Sequence, residues 1–298
     1  MLIPLLFGAV FLLSGGANVL QKRFQLGFRF DLPHFIWYNF LNAAFAAVNF
    51  LISAGGRIEI NGVTLLFSAA YGLDVILALS LGVVSLRYLS IPLRGVMSSS
   101  GSLLISSLFG ILALGEPFSL RTAFAIAAVL AAVVLPSVQM MHGQQNRLNA
   151  KGVLVGIAVF LVGSLSTIIT KLYTITPGVC GTTQFFLMTN LVILFCCVCA
   201  GGVLLLRRRA PITAAFRLFG WRQLLDIVGI TLFSNITSVM SITLLGLMTM
   251  TSYNIVSAGV GMAASLLVSL LVFRERPAKI QYVSVALVVL ATTLCAMQ

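Results

Sequence analysis

The sequence predicts an all-α membrane protein, with ten transmembrane helices arranged as two inverted five-helix repeats. Three observations predict it. The 298-residue chain is 60% hydrophobic and 8% charged, with a mean hydropathy of +1.11, whereas soluble domains are about a quarter charged. Its apolar residues fall in unbroken runs of about twenty, the length a helix needs to cross hydrocarbon and too long for barrel strands. One stretch also occurs twice. Residues 85–117, SLRYLSIPLRGVMSSSGSLLISSLFGILALGEP, align without a gap on 244–276 of the stretch 244–277, LLGLMTMTSYNIVSAGVGMAASLLVSLLVFRERP. A duplicated membrane half is the layout of secondary transporters built from repeats.

The runs are 2–20, 34–53, 62–84, 89–114, 121–139, 152–173, 183–206, 224–247, 251–273 and 280–297. The first repeat is 1–149 and the second 150–298. The opening run lacks a basic leader and a cleavage site, so it reads as a span rather than a signal peptide. Span two begins with Trp37 and Tyr38, which suit an interfacial belt or a stacking surface, and continues with Asn39, Asn42 and Asn49. Span three carries Asp74 at mid-depth. Span four places Ser98, Ser102, Ser106 and Gly110 at every fourth position. Span nine does the same with Ser257, Gly261, Ser265 and Ser269. Such a stripe lines one helix face and lets helices approach closely in lipid, either between the halves or in a dimer. The pseudo-two-fold favours the first. Span six ends near Lys171, which matches Lys22 at the end of span one; snorkelling to head groups is the plainer account of both. Span seven holds Asn190. Span eight shows a polar face of Ser234, Asn235, Thr237, Ser238 and Ser241.

Composition excludes several functions. The linkers are too short for a soluble nucleotide-binding domain, and no G-x-x-x-x-G-K-[ST] occurs. The net charge of +12 is not a nucleic-acid footprint, because the cations follow the loops. All of the 18 Lys and Arg except Arg57, Arg121 and Lys171 lie in or beside alternate linkers, which the positive-inside rule places in the cytoplasm. Both termini then face outward, in a multi-pass protein of the cell (inner) membrane. Cys180, Cys196, Cys197, Cys199 and Cys295 read as small apolar residues. His34 and His142 are isolated, so no metal or cofactor is expected. An intramembrane protease needs paired carboxylates or a deep histidine; neither is present, and no enzymatic role is expected.

Both small-residue helices end at an acid and a proline, LALGEPFS at 112–119 and VFRERPAK at 272–279, and SLRYLSIP precedes the first. In these motifs, and in its two five-helix halves, the chain resembles the drug/metabolite transporter superfamily, the ten-helix EamA type. The resemblance implies an inverted-repeat fold with a central cavity between the halves and transport of small organic solutes. That family keeps its termini in the cytoplasm, opposite to the charge pattern here. Glu116 and Glu275 sit beside prolines just before a helix, where an acid complements the helix dipole. Capping of the following helix is the expected role, with gating as the alternative.

Asp74 is the one mid-span acid among six. Such a carboxyl must be paired, protonated or facing water. Arg94, just inside span four, lies within reach. The two form either a structural ion pair or part of a solute or proton site. In the repeat Arg94 aligns with Tyr253, and Gly95 with Asn254, so one half offers charge where the other offers phenol and amide. The candidate solute-binding set is Asn18, Asn42, Tyr71, Asp74, Arg94, Ser98, Asn190, Asn235, Ser238, Tyr253 and Asn254, with Asp74 as the candidate proton carrier. These types favour an amino acid or related zwitterion or carboxylate. The alternative is export of lipophilic cations or drugs on Asp74. Partners are then the solute and the bilayer, with a coupling proton or other ion, in a monomer or homodimer.

Overall fold

The computed structural model describes residues 2–26, 32–85, 91–141, 150–206, 220–272 and 279–296. Among them the chain forms ten helices and no strand. They are α1 (Leu2–Leu26), α2 (Leu32–Ser53), α3 (Gly62–Ser85), α4 (Ile91–Ala113), α5 (Leu120–Met141), α6 (Ala150–Ile175), α7 (Thr182–Leu206), α8 (Trp221–Leu247), α9 (Met250–Leu271) and α10 (Lys279–Ala296). Each coincides with one apolar run. α1 continues past its run through Gln21, Lys22 and Arg23, because these residues are strong helix formers although they are not apolar.

Five helices among the described residues are long and apolar enough to cross a membrane: Leu2–Gln21, His34–Ser53, Lys151–Ile175, Thr182–Val203 and Trp221–Leu247. Gly62–Ala78, Gly101–Ala113, Leu120–Ala132 and Val285–Leu294 are apolar but shorter. Large aliphatic side chains such as Leu5, Ile52, Leu66, Leu112 and Leu271 are exposed. Apolar exposure on this scale would be a liability in water and suits contact with lipid.

Local polar groups set the helix ends. Asn61 begins α3 by accepting from the Val63 N–H through Oδ1 at 2.9 Å. Ser119 begins α5 by accepting from the Thr122 N–H at 3.2 Å. Thr249 begins α9 by accepting from the Ser252 N–H. These are ordinary N-caps, each meeting one of the N–H groups that a helix start leaves unpaired.

The helices group into two compact units. One comprises Met1–Phe11, Asp74–Ile175 and Ile242–Gln298; the other comprises Leu12–Leu73 and Thr176–Ser241. Each unit draws on both sequence halves, and α1, α3 and α8 contribute to both. In the first unit α4 packs on α6, α10 on α5, and α9 touches α4, α5 and α10. Its core is built from Leu103, Ala125, Val129, Ile255 and Ala291. The small residues of α4 act here. Gly101 meets the backbone of Phe160 on α6 so closely that no Cβ would fit. Ser106 and Gly110 face α9 at Asn254 and Met250. Of the stripe on α9 only Ser257 and Gly261 have described side chains. Gly261 is exposed with nothing near its missing Cβ, and the close approach is made by Gly259 against Val288 of α10. The side chains of Ser265 and Ser269 lie outside the described residues.

In the second unit α2 packs along α7. Phe50 stacks on Phe186 with centroids 5.3 Å apart, and Tyr71 of α3 lies 5.4 Å from Phe185. The Ser68 hydroxyl donates to the Phe185 carbonyl at 3.0 Å. Phe24, Ile227 and Ile230 form the core between α1, α2 and α8. Trp37 and Tyr38 pack against that core, Tyr38 with its ring 5.1 Å from Phe24. Their role in the fold is packing, whatever they also offer at a membrane surface.

Candidate functional site

The first unit holds Asp74, Arg94, Ser98, Tyr253 and Asn254 of the candidate set. Asp74 lies on α3 and is 4% exposed. Its Oδ1 has no hydrogen-bond partner among the described residues. Arg94 and Ser98 lie on α4, but their side chains fall outside the described residues. Tyr253 and Asn254 occupy the first turn of α9. The Tyr253 ring lies 6.4 Å from that of Phe7. Asn254 is buried, and its amide donates to the Ser106 hydroxyl at 2.6 Å. Ser106 in turn donates to the Ser102 carbonyl. This chain ties α9 to α4, so Asn254 has a structural partner as well as a candidate role.

The second unit holds Asn18, Asn42, Tyr71, Asn190, Asn235 and Ser238. Asn42 joins α2 to α8: its Oδ1 lies 2.6 Å from the Thr231 hydroxyl, which is also 2.7 Å from the Ile227 carbonyl. Both neighbours are acceptors, so one hydroxyl proton serves both. The Asn190 amide donates to the Phe186 carbonyl in its own helix at 2.7 Å. Asn235 is buried with Nδ2 unpartnered among the described residues. Asn18 and Ser238 are half-buried on α1 and α8. A groove of about 300 Å³ beside Asn49 and Thr231 is lined mainly by Phe45, Val48, Ile52, Val228 and Leu232; its walls are apolar.

Two charged residues outside the candidate set turn out to be built into the first unit. Lys171 does not snorkel. It is 8% exposed, and Nζ donates to the carbonyls of Leu245 and Met248 at 2.7 and 2.9 Å. Those carbonyls belong to the end of α8, where the helix leaves its acceptors unpaired and its dipole is negative.

Glu116 does not cap the helix that follows it; Ser119 does that. Its carboxylate instead accepts the N–H groups of Met250 and Thr251, at 3.0 Å for Thr251, and the Thr251 hydroxyl at 2.9 Å. It thus caps α9, in the other sequence half. The L-G-E-P motif explains the delivery. Gly115 adopts φ +66°, which an L side chain rarely tolerates, and the Glu116 N–H then returns to the Gly110 carbonyl at 3.1 Å, closing the turn after α4. A Cβ on Gly110 would sit 2.7 Å from Glu116 Oε2, so that glycine makes room for the carboxylate. Glu275, its mate in the repeat, lies outside the described residues.

Among the described residues Cys180, Cys196, Cys197 and Cys199 form no disulfide. Among the described residues no three His, Cys, Asp or Glu side chains gather closely enough to hold a metal ion.

No family model matches the chain, and no curated protein matches it. Solved structures do resemble it. One, described only as the crystal structure of a protein, superposes with a TM-score of 0.68 over 99% of this chain and 96% of its own. At 14% identity the likeness concerns the fold: the helical architecture is one that a solved protein shares from end to end.

Proposed function

We propose that this protein is a secondary transporter of the EamA type, in the drug/metabolite transporter superfamily. In this reading ten membrane-spanning helices form two inverted repeats that enclose the path of a small organic solute. An amino acid or a related zwitterion or carboxylate is the favoured class. The protein would lie in the cell (inner) membrane, with termini outside by its charge pattern.

The observation that carries the reading is Asp74. It is a buried carboxyl on an apolar helix, and one of its oxygens has no partner among the described residues. Leaving such a group unsatisfied costs about 1–3 kcal/mol, more if it is charged. Its presence in a chain with only six acids supports a role in binding or proton carriage. The buried Asn235 amide, its nitrogen also unpartnered among the described residues, supports a second polar contact. The same Asp74 oxygen favours one alternative, export of lipophilic cations with Asp74 as the cation site.

Thermal stabilisation of the purified protein separates the two. Amino acids, organic acids and organic cations are tested in parallel; a bound ligand at about 100 times its Kd stabilises by ~2.7 kcal/mol. Stabilisation by zwitterions or carboxylates that disappears in Arg94→Ala is the expected result. Stabilisation by cations alone, lost in Asp74→Asn, would replace the metabolite reading with the cation exporter. No response to any class would sink both.

A further inference from the structure

Only Met248 and Thr249 separate α8 from α9. The carbonyl end of one helix and the N–H end of the next therefore lie side by side, with dipoles of opposite sign. Each end is met by an ionised side chain of the matching charge, and each side chain comes from a different element. Lys171 of α6 holds the carbonyls of Leu245 and Met248. Glu116, from the turn after α4, holds the N–H groups of Met250 and Thr251 and the Thr251 hydroxyl. The two charges also attract one another. Leu245, Met250 and Thr251 are buried and Met248 is half-buried, so water has little access to most of these partners.

A buried ammonium and a carboxylate are expensive to desolvate unless hydrogen-bonded. Capping a helix end can be done by a neutral residue, and Thr249 already does so for α9. The charged pair goes further by tying the turn to α6 and to the end of α4 at once. Beyond the clamped amides, after Ser252, come Tyr253 and Asn254.

We propose that Lys171 and Glu116 form a two-ended electrostatic clamp on the α8–α9 turn, and that this clamp positions Tyr253 and Asn254 for solute binding. The clamp stands on the contacts alone; the positioning role rests on the transport reading.

Hydrogen exchange on the full chain in nanodiscs tests the clamp, read on peptides covering 245–255. Uptake of radiolabelled L-amino acids by proteoliposomes tests the positioning, using whichever amino acid the unsubstituted chain takes up best. The variants are Glu116→Gln, whose amide must turn an N–H toward an N–H, and Gly110→Ala, which pushes the carboxylate away without changing charge. Thr251→Val is a milder variant that keeps the test open if the others do not fold, and Glu59→Gln, an exposed acid, is the control.

Loss of a hydrogen bond to a charged group should raise exchange at Met250 and Thr251 about tenfold or more in Glu116→Gln. KM should rise while the maximal rate holds, and the control should match the parent. Unchanged exchange in Glu116→Gln and Gly110→Ala would overturn the clamp. Faster exchange with unchanged KM would overturn the positioning role and leave a helix cap. If the unsubstituted chain takes up no amino acid, the amino-acid reading fails, and exchange still decides the clamp.

Discussion

The α8–α9 turn and the linkers of the second unit meet the same need with different chemistry. In the second unit the α2–α3 loop and the α6–α7 linker are knitted by neutral groups. The Asn61 amide donates to the Gly178 carbonyl, the Thr64 hydroxyl accepts the Cys180 N–H at 2.9 Å, and the Gln184 amide donates to the Arg57 carbonyl at 2.8 Å. Much of this rim is exposed, including residues 55–60 and Gly178. In the first unit the turn is held by Lys171 and Glu116 against buried backbone. Exposure accounts for the difference. At the rim a backbone group that loses its protein partner finds water, so neutral amides are sufficient. At the α8–α9 turn Leu245, Met250 and Thr251 are buried while Met248 and Thr249 are half-buried, and helix-end carbonyls and N–H groups hold their complementary charges more strongly where the dielectric is low.

Five variants would sharpen or break this contrast, Glu116→Gln alone among them, each read as an unfolding midpoint in detergent. Lys171→Met should have the largest effect, about 3 kcal/mol, since it leaves the Leu245 and Met248 carbonyls without their charged donor. Adding Glu116→Gln should cost less than the sum of the single losses. An additive double variant would mean that the two charges act independently. Asn61→Ala should cost about 1 kcal/mol, the ordinary value of an N-cap, with a small further loss from the rim. A cost equal to that of Lys171→Met would erase the distinction between neutral rim and charged turn. Glu59→Gln should lie within about 0.5 kcal/mol of the parent; a larger loss would show the rim to be electrostatic after all.

The helices were legible because apolar runs in lipid leave the backbone few alternatives. The run that contains α4 also declared its packing face through Ser106 and Gly110, which do meet α9. The stripe on α9 is described only in part, and there Gly261 meets no neighbour, because spacing of small residues does not say which neighbour arrives. Gly259, outside the stripe, makes the close contact with α10. Asp74 was recognisable as a buried ionisable residue because charge is so scarce. Glu116 was recognisable as a helix cap, but not as the cap of α9: the acceptor donates nothing to the sequence pattern of a helix 134 positions away. One signal was present, in Gly110 and Gly115 flanking the acid, a pair that clears space and reverses the chain. Lys171 looked like a snorkelling residue because its place near a span end is the same in either case; only the nearby end of α8 turns it inward.

The sequence by itself determined an all-helical chain, ten apolar elements and an internal repeat, since each follows from local composition and from comparison of the chain with itself. The tertiary structure decided which helix each charge serves. It also decided that each compact unit is assembled from both sequence halves. Those outcomes depend on which surfaces pack together across long separations, and a pattern read along one strand of chain carries the donors and acceptors but not their pairing.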